Sequence, residues 1–319
     1  DCELAGDDAQ EVWICDTEFF PYEDAGEATV SYNQMWGKEP ISEPFHYKEW
    51  DYQVQLFRPD WATVYERRPA NGDPELVDDI LREYKPIAYE IKRIIDMLAP
   101  QGVLRMRNME DGDEIDINAA IDATVAIRMG EQPNPRITMR NVIQNRDVAV
   151  SVLLDLSEST NDPVEGADKT ILELTREAAI LLATAINGIG DPFAIHGFAS
   201  DGRHDVQYHR FKDFNQPFDD SVKARLAGME GGLSTLMGAA MRHAGSHLLR
   251  QPEQRKLLLL VTDGEPSDVD ERDPQHLRWD TRKAVEELAS QGVLSYCLTL
   301  DPHADSYVKR IFGATNYTV

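Results

Sequence analysis

Asp155, Ser157 and Ser159 alternate in the stretch VAVSVLLDLSESTND (148–162), directly after an apolar run. A second apolar run, KLLLLVTDG, ends in Asp263 and Gly264, and between the two EGGLST places Thr235 after paired glycines and ahead of a helical stretch. Two carboxylates and three hydroxyls are hard oxygen donors. Their few charges and several neutral groups suit Mg2+, or Mn2+, held with one coordination position open. Each piece alone has a plainer reading, because Ser or Asp ahead of a helix is most often a cap. Together, in order, on two strand ends and a glycine-rich loop, they read as a metal site.

Other chemistries fit less well. A haloacid dehalogenase-like phosphatase also starts from an apolar strand ending in aspartate, but it needs a second Asp two residues on as acid/base, and Ser157 stands there. Neither a Gly-x-Ser-x-Gly elbow nor a Walker-type phosphate loop occurs. His243 and His247 have the spacing of a zinc-binding His-Glu-x-x-His helix, but Ala244 replaces the glutamate, so ordinary surface or helix-end histidines are expected. NMEDGDEID (108–116) resembles a calcium loop only in part. Its closing ligand would be Asp122, inside a helical pattern, so a solvated charged turn is the better reading.

The elements that must position these residues follow from periodicity. From Val148 onward, continuous apolar strands (148–154, FAIHGFAS, KLLLLVTDG, VLSYCLTL) alternate with amphipathic helices (about 169–187, SVKARLAGM, MGAAMRHAGSHLLR, WDTRKAVEELASQG). That rhythm predicts a doubly wound α/β domain with a mainly parallel sheet, whose ligands bind beyond the carboxyl ends of the strands. DLSEST and TDGEPSD both occupy such ends. We assign this domain to residues 146–319 and an irregular α+β N-terminal extension to 1–145. Within the extension, YKEWDYQVQLFRPDWATVYE reads as paired strands and Glu75–Leu98 as a helix kinked or split at Pro86. VLRMR reads as a strand and Ile115–Gly130 as a helix closed by glycine. The first forty residues contain no Lys or Arg before Lys38 and take no clear assignment.

The 319 residues carry 57 acidic and 32 basic side chains, a net charge of −25, which repels phosphate backbones and anionic membranes. No apolar run approaches the ~20 residues of a spanning helix, and no signal-peptide layout opens the chain. Cys2, Cys15 and Cys297 are scattered without pair spacing, so neither a disulfide framework nor a cysteine zinc site is expected. A cytoplasmic protein is expected, and the polar opening from Asp1 reads as a piece of something longer.

The three motif segments resemble the von Willebrand factor type A fold over roughly Asp147 to Val319. By that resemblance Asp155, Ser157 and Ser159 are first-loop ligands of a metal ion-dependent adhesion site, Thr235 the second-loop ligand and Asp263 the third, with a partner's carboxylate completing the metal shell. Leu233 and Ser234 intervene where the family usually has threonine directly after the glycines, which keeps Ser234 open as the second-loop ligand. A longer set of segments (YKEWDY, RPDWATVYE, DGDEIDINAAIDATVAIRMG, PNPRITMR, RDVAVSVLLDLSEST, GGLSTLMGAAMRHAG) resembles the C-terminal half of the NorD and CbbO proteins. The resemblance implies a non-catalytic adaptor of a hexameric MoxR-class AAA+ ATPase. It implies rubisco, freed of inhibitory sugar phosphates, or nitric oxide reductase as the target enzyme; rubisco is placed first.

Overall fold

The computed structural model describes residues 41–98, 103–143, 147–163, 169–271, 273–299, 304 and 307–318. The expectations for the first forty residues and for Cys2 and Cys15 lie outside them.

Alternation between Tyr47 and Glu66 produces a hairpin, with β1 (Phe45–Asp51) and β2 (Leu56–Arg67) paired antiparallel. Pro86 divides the next helical stretch into α1 (Glu75–Glu83) and α2 (Lys85–Leu98). Proline lacks an N–H and is tolerated only in a helix's first turn, so Pro86 can open α2 but cannot continue α1. A small antiparallel sheet follows, from β3 (Val103–Met109), β4 (Glu114–Ile115) and β5 (Thr138–Ile143), in the order β3-β5-β4. Between its last two strands runs α3 (Ile117–Met129), started by the Asp116 side chain accepting from the Asn118 N–H and closed by Gly130 at φ 78°. Its Ile117, Ile121 and Ile127 side chains are exposed. The calcium-like segment is a turn joining β3 to β4, and Asp122 lies in α3.

The α/β rhythm then unfolds as read. It comprises β6 (Val148–Asp155), a 3-10 turn (Glu158–Asn161), α4 (Ile171–Asn187), β7 (Phe193–Ser200), β8 (Val206–Lys212), α5 (Asp220–Ala227) and α6 (Met237–Leu249). It continues with β9 (Arg255–Thr262), α7 (Pro274–Ser290), β10 (Val293–Thr299), α8 (Val308–Phe312) and β11 (Tyr317–Thr318). The sheet order is β1-β2-β8-β7-β6-β9-β10-β11, with only β1–β2 and β7–β8 antiparallel. Two features were not anticipated. VQYHRFK is a strand although its pattern is largely polar, and it turns the sheet antiparallel at β7. The hairpin from the N-terminal extension adds to the same sheet by pairing β2 parallel to β8.

Strand β6 explains why both faces are covered. Ala149 and Leu153 face one core with α6, α7 and α8, while Val150, Val152 and Leu154 face the other with α1, α4 and α5. Alternate side chains leave a strand on opposite faces, so an all-apolar strand is stable only between two helical layers. Leu153 and Leu154 are both fully buried. Each contributes about 1.5–3 kcal/mol relative to exposure.

Candidate functional site

The site begins with the central position of β6. It pairs in parallel with β7 on one side and β9 on the other, Leu154 standing opposite Val261, so the next residues, Asp155 and Thr262, end their strands side by side. Asp155 is 1% exposed. Its Oδ1 accepts the Ser157 N–H at 3.1 Å and its Oδ2 accepts the Thr262 hydroxyl at 2.7 Å. Burial, and then the charge of Asp263, push the Asp155 carboxyl up to about 7, against those two hydrogen bonds. Two carboxylates that resist being charged together in a dry place form a site that a divalent cation neutralises. Ser157 and Ser159 bring their hydroxyl oxygens within 3.1 Å of each other.

The glycine-rich loop is laced onto this edge by its backbone. Gly232 N–H donates to Leu156 O (2.8 Å), and Leu233 O accepts from Glu158 N–H (2.8 Å). Ser234 exchanges both of its backbone bonds with Ser200 at the end of β7, each 2.8 Å, and Thr235 does the same with Ser267, beyond Asp263, at 2.7 and 3.2 Å. Gly231 lets the loop close, because a Cβ there would meet Thr160 Oγ1 at 2.4 Å. Leu233 takes φ 70°, a left-handed conformation unusual for a branched side chain. It accommodates the two residues that separate the glycines from Thr235. Thr235 is 5% exposed and is tied to the third loop, whereas Ser234 is tied to β7.

The five sequence-assigned residues therefore stand on three loops at one carboxyl edge of the sheet. All five offer oxygen, the donor set of Mg2+ or Mn2+, and Asp155, Ser157 and Thr235 are buried polar side chains. The fit of residues to metal is good. Sequence reasoning missed two supporting residues. Thr262 braces Asp155 from the neighbouring strand; Ser200 donates to Asp268 Oδ2 (2.5 Å) and accepts the Leu236 N–H (3.0 Å), fixing the start of α6. The signal for both was a lone hydroxyl at the end of an apolar strand, in LLLLVTDG and FAIHGFAS.

One expectation needs correction. His243 is not a surface histidine: it is 0% exposed, and the carboxylate missing at Ala244 comes from Glu66 on β2. Glu66 Oε1 lies 2.9 Å from His243 Nε2 and 2.8 Å from His247 Nε2. Burial opposes its ionisation, but His243, His247 and Arg210 hold the Glu66 carboxyl well below the usual range. A strand about 180 residues upstream is invisible to a local motif.

Among the described residues, no helix is long and apolar enough to cross a membrane. The chain is 32% identical over 280 residues to Protein NorD of Stutzerimonas stutzeri, covering 88% of this chain and 45% of that protein. It is 33% identical over 273 residues to Protein NorD of Brucella abortus, covering 86% and 42%. It thus spans less than half the length of these curated relatives. Among solved structures, the PilB minor pilin from Streptococcus sanguinis aligns with a TM-score of 0.43 and 16% identity over 56% of this chain and 58% of that one. The von Willebrand factor type A domain family matches residues 149–319, more than half of the chain and every residue of the oxygen-donor edge, and the chain belongs to that family.

Proposed function

We propose that this chain is the target-gripping part of a non-catalytic adaptor, in which Asp155, Ser157, Ser159, Thr235 and Asp263 hold Mg2+ and a carboxylate of the target enzyme takes the open coordination position. The observation that carries this reading is the buried Asp155 carboxylate, braced by Thr262 and facing the charge of Asp263 at an edge lined with hydroxyls. An acidic protein that grips a carboxylate needs a cation between the two negative groups. When bound, the metal supplies a Lewis-acidic anchor for that carboxylate. The chain's own residues orient the donors and keep the inner side of the site dry.

The partner that supplies force is proposed to be a MoxR-class AAA+ ATPase. The name carried by the relatives favours nitric oxide reductase over rubisco as the target. Co-purification of the adaptor with its ATPase and with each enzyme, in Mg2+ and in EDTA, tests the proposal. Nitric oxide reductase is expected to be retained in Mg2+ only, and Asp155→Asn is expected to stay folded and lose it. Equal retention in EDTA, or retention by Asp155→Asn, overturns the metal grip. Mg2+-dependent hydrolysis of an aryl phosphate, abolished by Asp155→Asn, would instead make the site a phosphatase.

A further inference from the structure

A second cluster of donors lies away from the oxygen edge. Counting from Leu236 at the start of α6, His243 and His247 are seven and eleven residues along the helix, about 10 and 16 Å at the helical rise of 1.5 Å per residue. Four residues apart, they present both rings on one face of α6. Across from them, Glu66 reaches in from β2, which is held against the domain through its parallel pairing with β8.

We propose that Glu66, His243 and His247 form a second metal site, of the zinc class, which staples the N-terminal hairpin to the α/β domain. The three donor atoms converge on one point. Glu66 Oε1 is 2.9 and 2.8 Å from the two Nε2 atoms, which are 3.3 Å from each other. A tetrahedral zinc ion with bonds of about 2.0–2.1 Å separates its ligands by roughly 3.3 Å, so a small outward movement of the carboxylate oxygen makes room for the ion.

The atoms behind two of the donors, those of His243 and Glu66, are already engaged. His243 Nδ1 lies 2.8 Å from the Tyr47 hydroxyl, which leaves Nε2 as the ligating nitrogen, and Glu66 Oε2 accepts from Arg210 Nη1 at 2.7 Å. Outer partners of this kind set the tautomer and the orientation of metal ligands. Arg210 is in turn neutralised by Asp213 at 2.8 Å, so it does not oppose the cation with a bare charge. Two imidazoles and one carboxylate select Zn2+ over Mg2+, the reverse of the preference at the Asp155 edge. Three protein ligands leave a fourth position for water. Tyr47 and Glu66 come from the two strands of the hairpin and both histidines from α6, so one ion would bind the extension to the core.

The test uses the whole chain stripped of metal by chelator and titrated with Zn2+ and, separately, Co2+. The proposal expects about one Zn2+ per chain in the presence of excess Mg2+, and a rise in melting temperature on Zn2+ addition. It also expects the visible d–d absorption of four-coordinate Co2+ without a thiolate charge-transfer band. His247→Ala and Glu66→Gln are expected to abolish the Co2+ spectrum, while Asp155→Asn keeps it. His247 is the most accessible of the three, so its variant carries the least risk to folding. No stoichiometric Zn2+ and no tetrahedral Co2+ spectrum in the native chain would make the cluster a metal-free hydrogen-bonded carboxylate and overturn the proposal. The same spectrum persisting in both variants would also overturn it.

Discussion

Replacing Thr262 by valine removes one hydroxyl from the carboxyl edge of the sheet and keeps the shape of the side chain. Thr262 is 3% exposed and is not itself one of the assigned metal donors. Its Oγ1 donates to Asp155 Oδ2 at 2.7 Å, and it also lies 3.1 Å from Gly264 O in the turn that carries Asp263. A hydrogen bond to a charged group contributes about 1.5–3 kcal/mol, and metal binding requires Asp155 in its charged form. The hydroxyl also helps the ionised fraction of the metal-free protein, so the net loss falls toward the lower part of that range. At about 1.4 kcal/mol per decade, Thr262→Val should weaken Mg2+ or Mn2+ about ten- to thirtyfold. Thr262→Ser, which restores the donor, should stay within about threefold of wild type by the same conversion. Mn2+ titration followed by electron paramagnetic resonance, with Mg2+ competition, reads the affinity, and circular dichroism checks the fold. If the folded Thr262→Val protein binds Mn2+ within threefold of wild type, the Asp155 brace is not what prepares the site.

Three further outcomes are expected. Gly231→Ala puts a Cβ 2.4 Å from Thr160 Oγ1, whose hydroxyl is committed to Ser157 O at 2.6 Å, so the glycine loop must move outward. Denaturant titration should show a loss of about 1–3 kcal/mol together with weaker Mg2+ binding. Asp280→Ala removes the main partner of the buried Arg242 guanidinium, which Asp280 clamps at 2.7 and 3.0 Å while also accepting the Trp50 N–H of β1, and leaves it the longer pairing with Glu287 at 3.4 Å. A loss of about 3–5 kcal/mol in urea unfolding is expected, while Asp155→Asn, whose hydrogen bonds go to Ser157 and Thr262, should leave the clamp's contribution untouched. His196 is fully buried, which pushes its imidazole from 6.5 down to about 4, against Asp213 and with help from His247 and Arg210. The folded chain therefore binds this proton less readily than the unfolded one. The associated stability is present above pH about 6.5 and falls toward pH 4, by at most about 3 kcal/mol. In chelator-treated protein, wild type should lose stability over that window more steeply than His196→Gln. Parallel curves would contradict the assignment.

What the sequence could determine by itself was whatever is written locally. Continuous apolar strands such as VAVSVLLD and KLLLLV can be stable only between two helical layers, so their alternation with amphipathic helices dictated the doubly wound sheet. Pro86 and Gly130 marked helix ends because their backbones permit little else there. The oxygen-donor residues were legible because hydroxyls and carboxylates at the ends of apolar strands stand out against the pattern. VQYHRFK escaped notice because its neighbours supply the apolar cover and its own polar side chains pair across the sheet, as Arg210 does with Glu66. Only the tertiary structure decided the long-range matches. It set Thr262 beside Asp155 through the β6–β9 register, and bound Thr235 rather than Ser234 to the loop beyond Asp263. It also gave His243 and His247 a carboxylate from Glu66, on a hairpin that the sequence assigned to another part of the chain. Strand register and sheet order bring such groups together across a hundred residues or more, and no spacing along the chain records them.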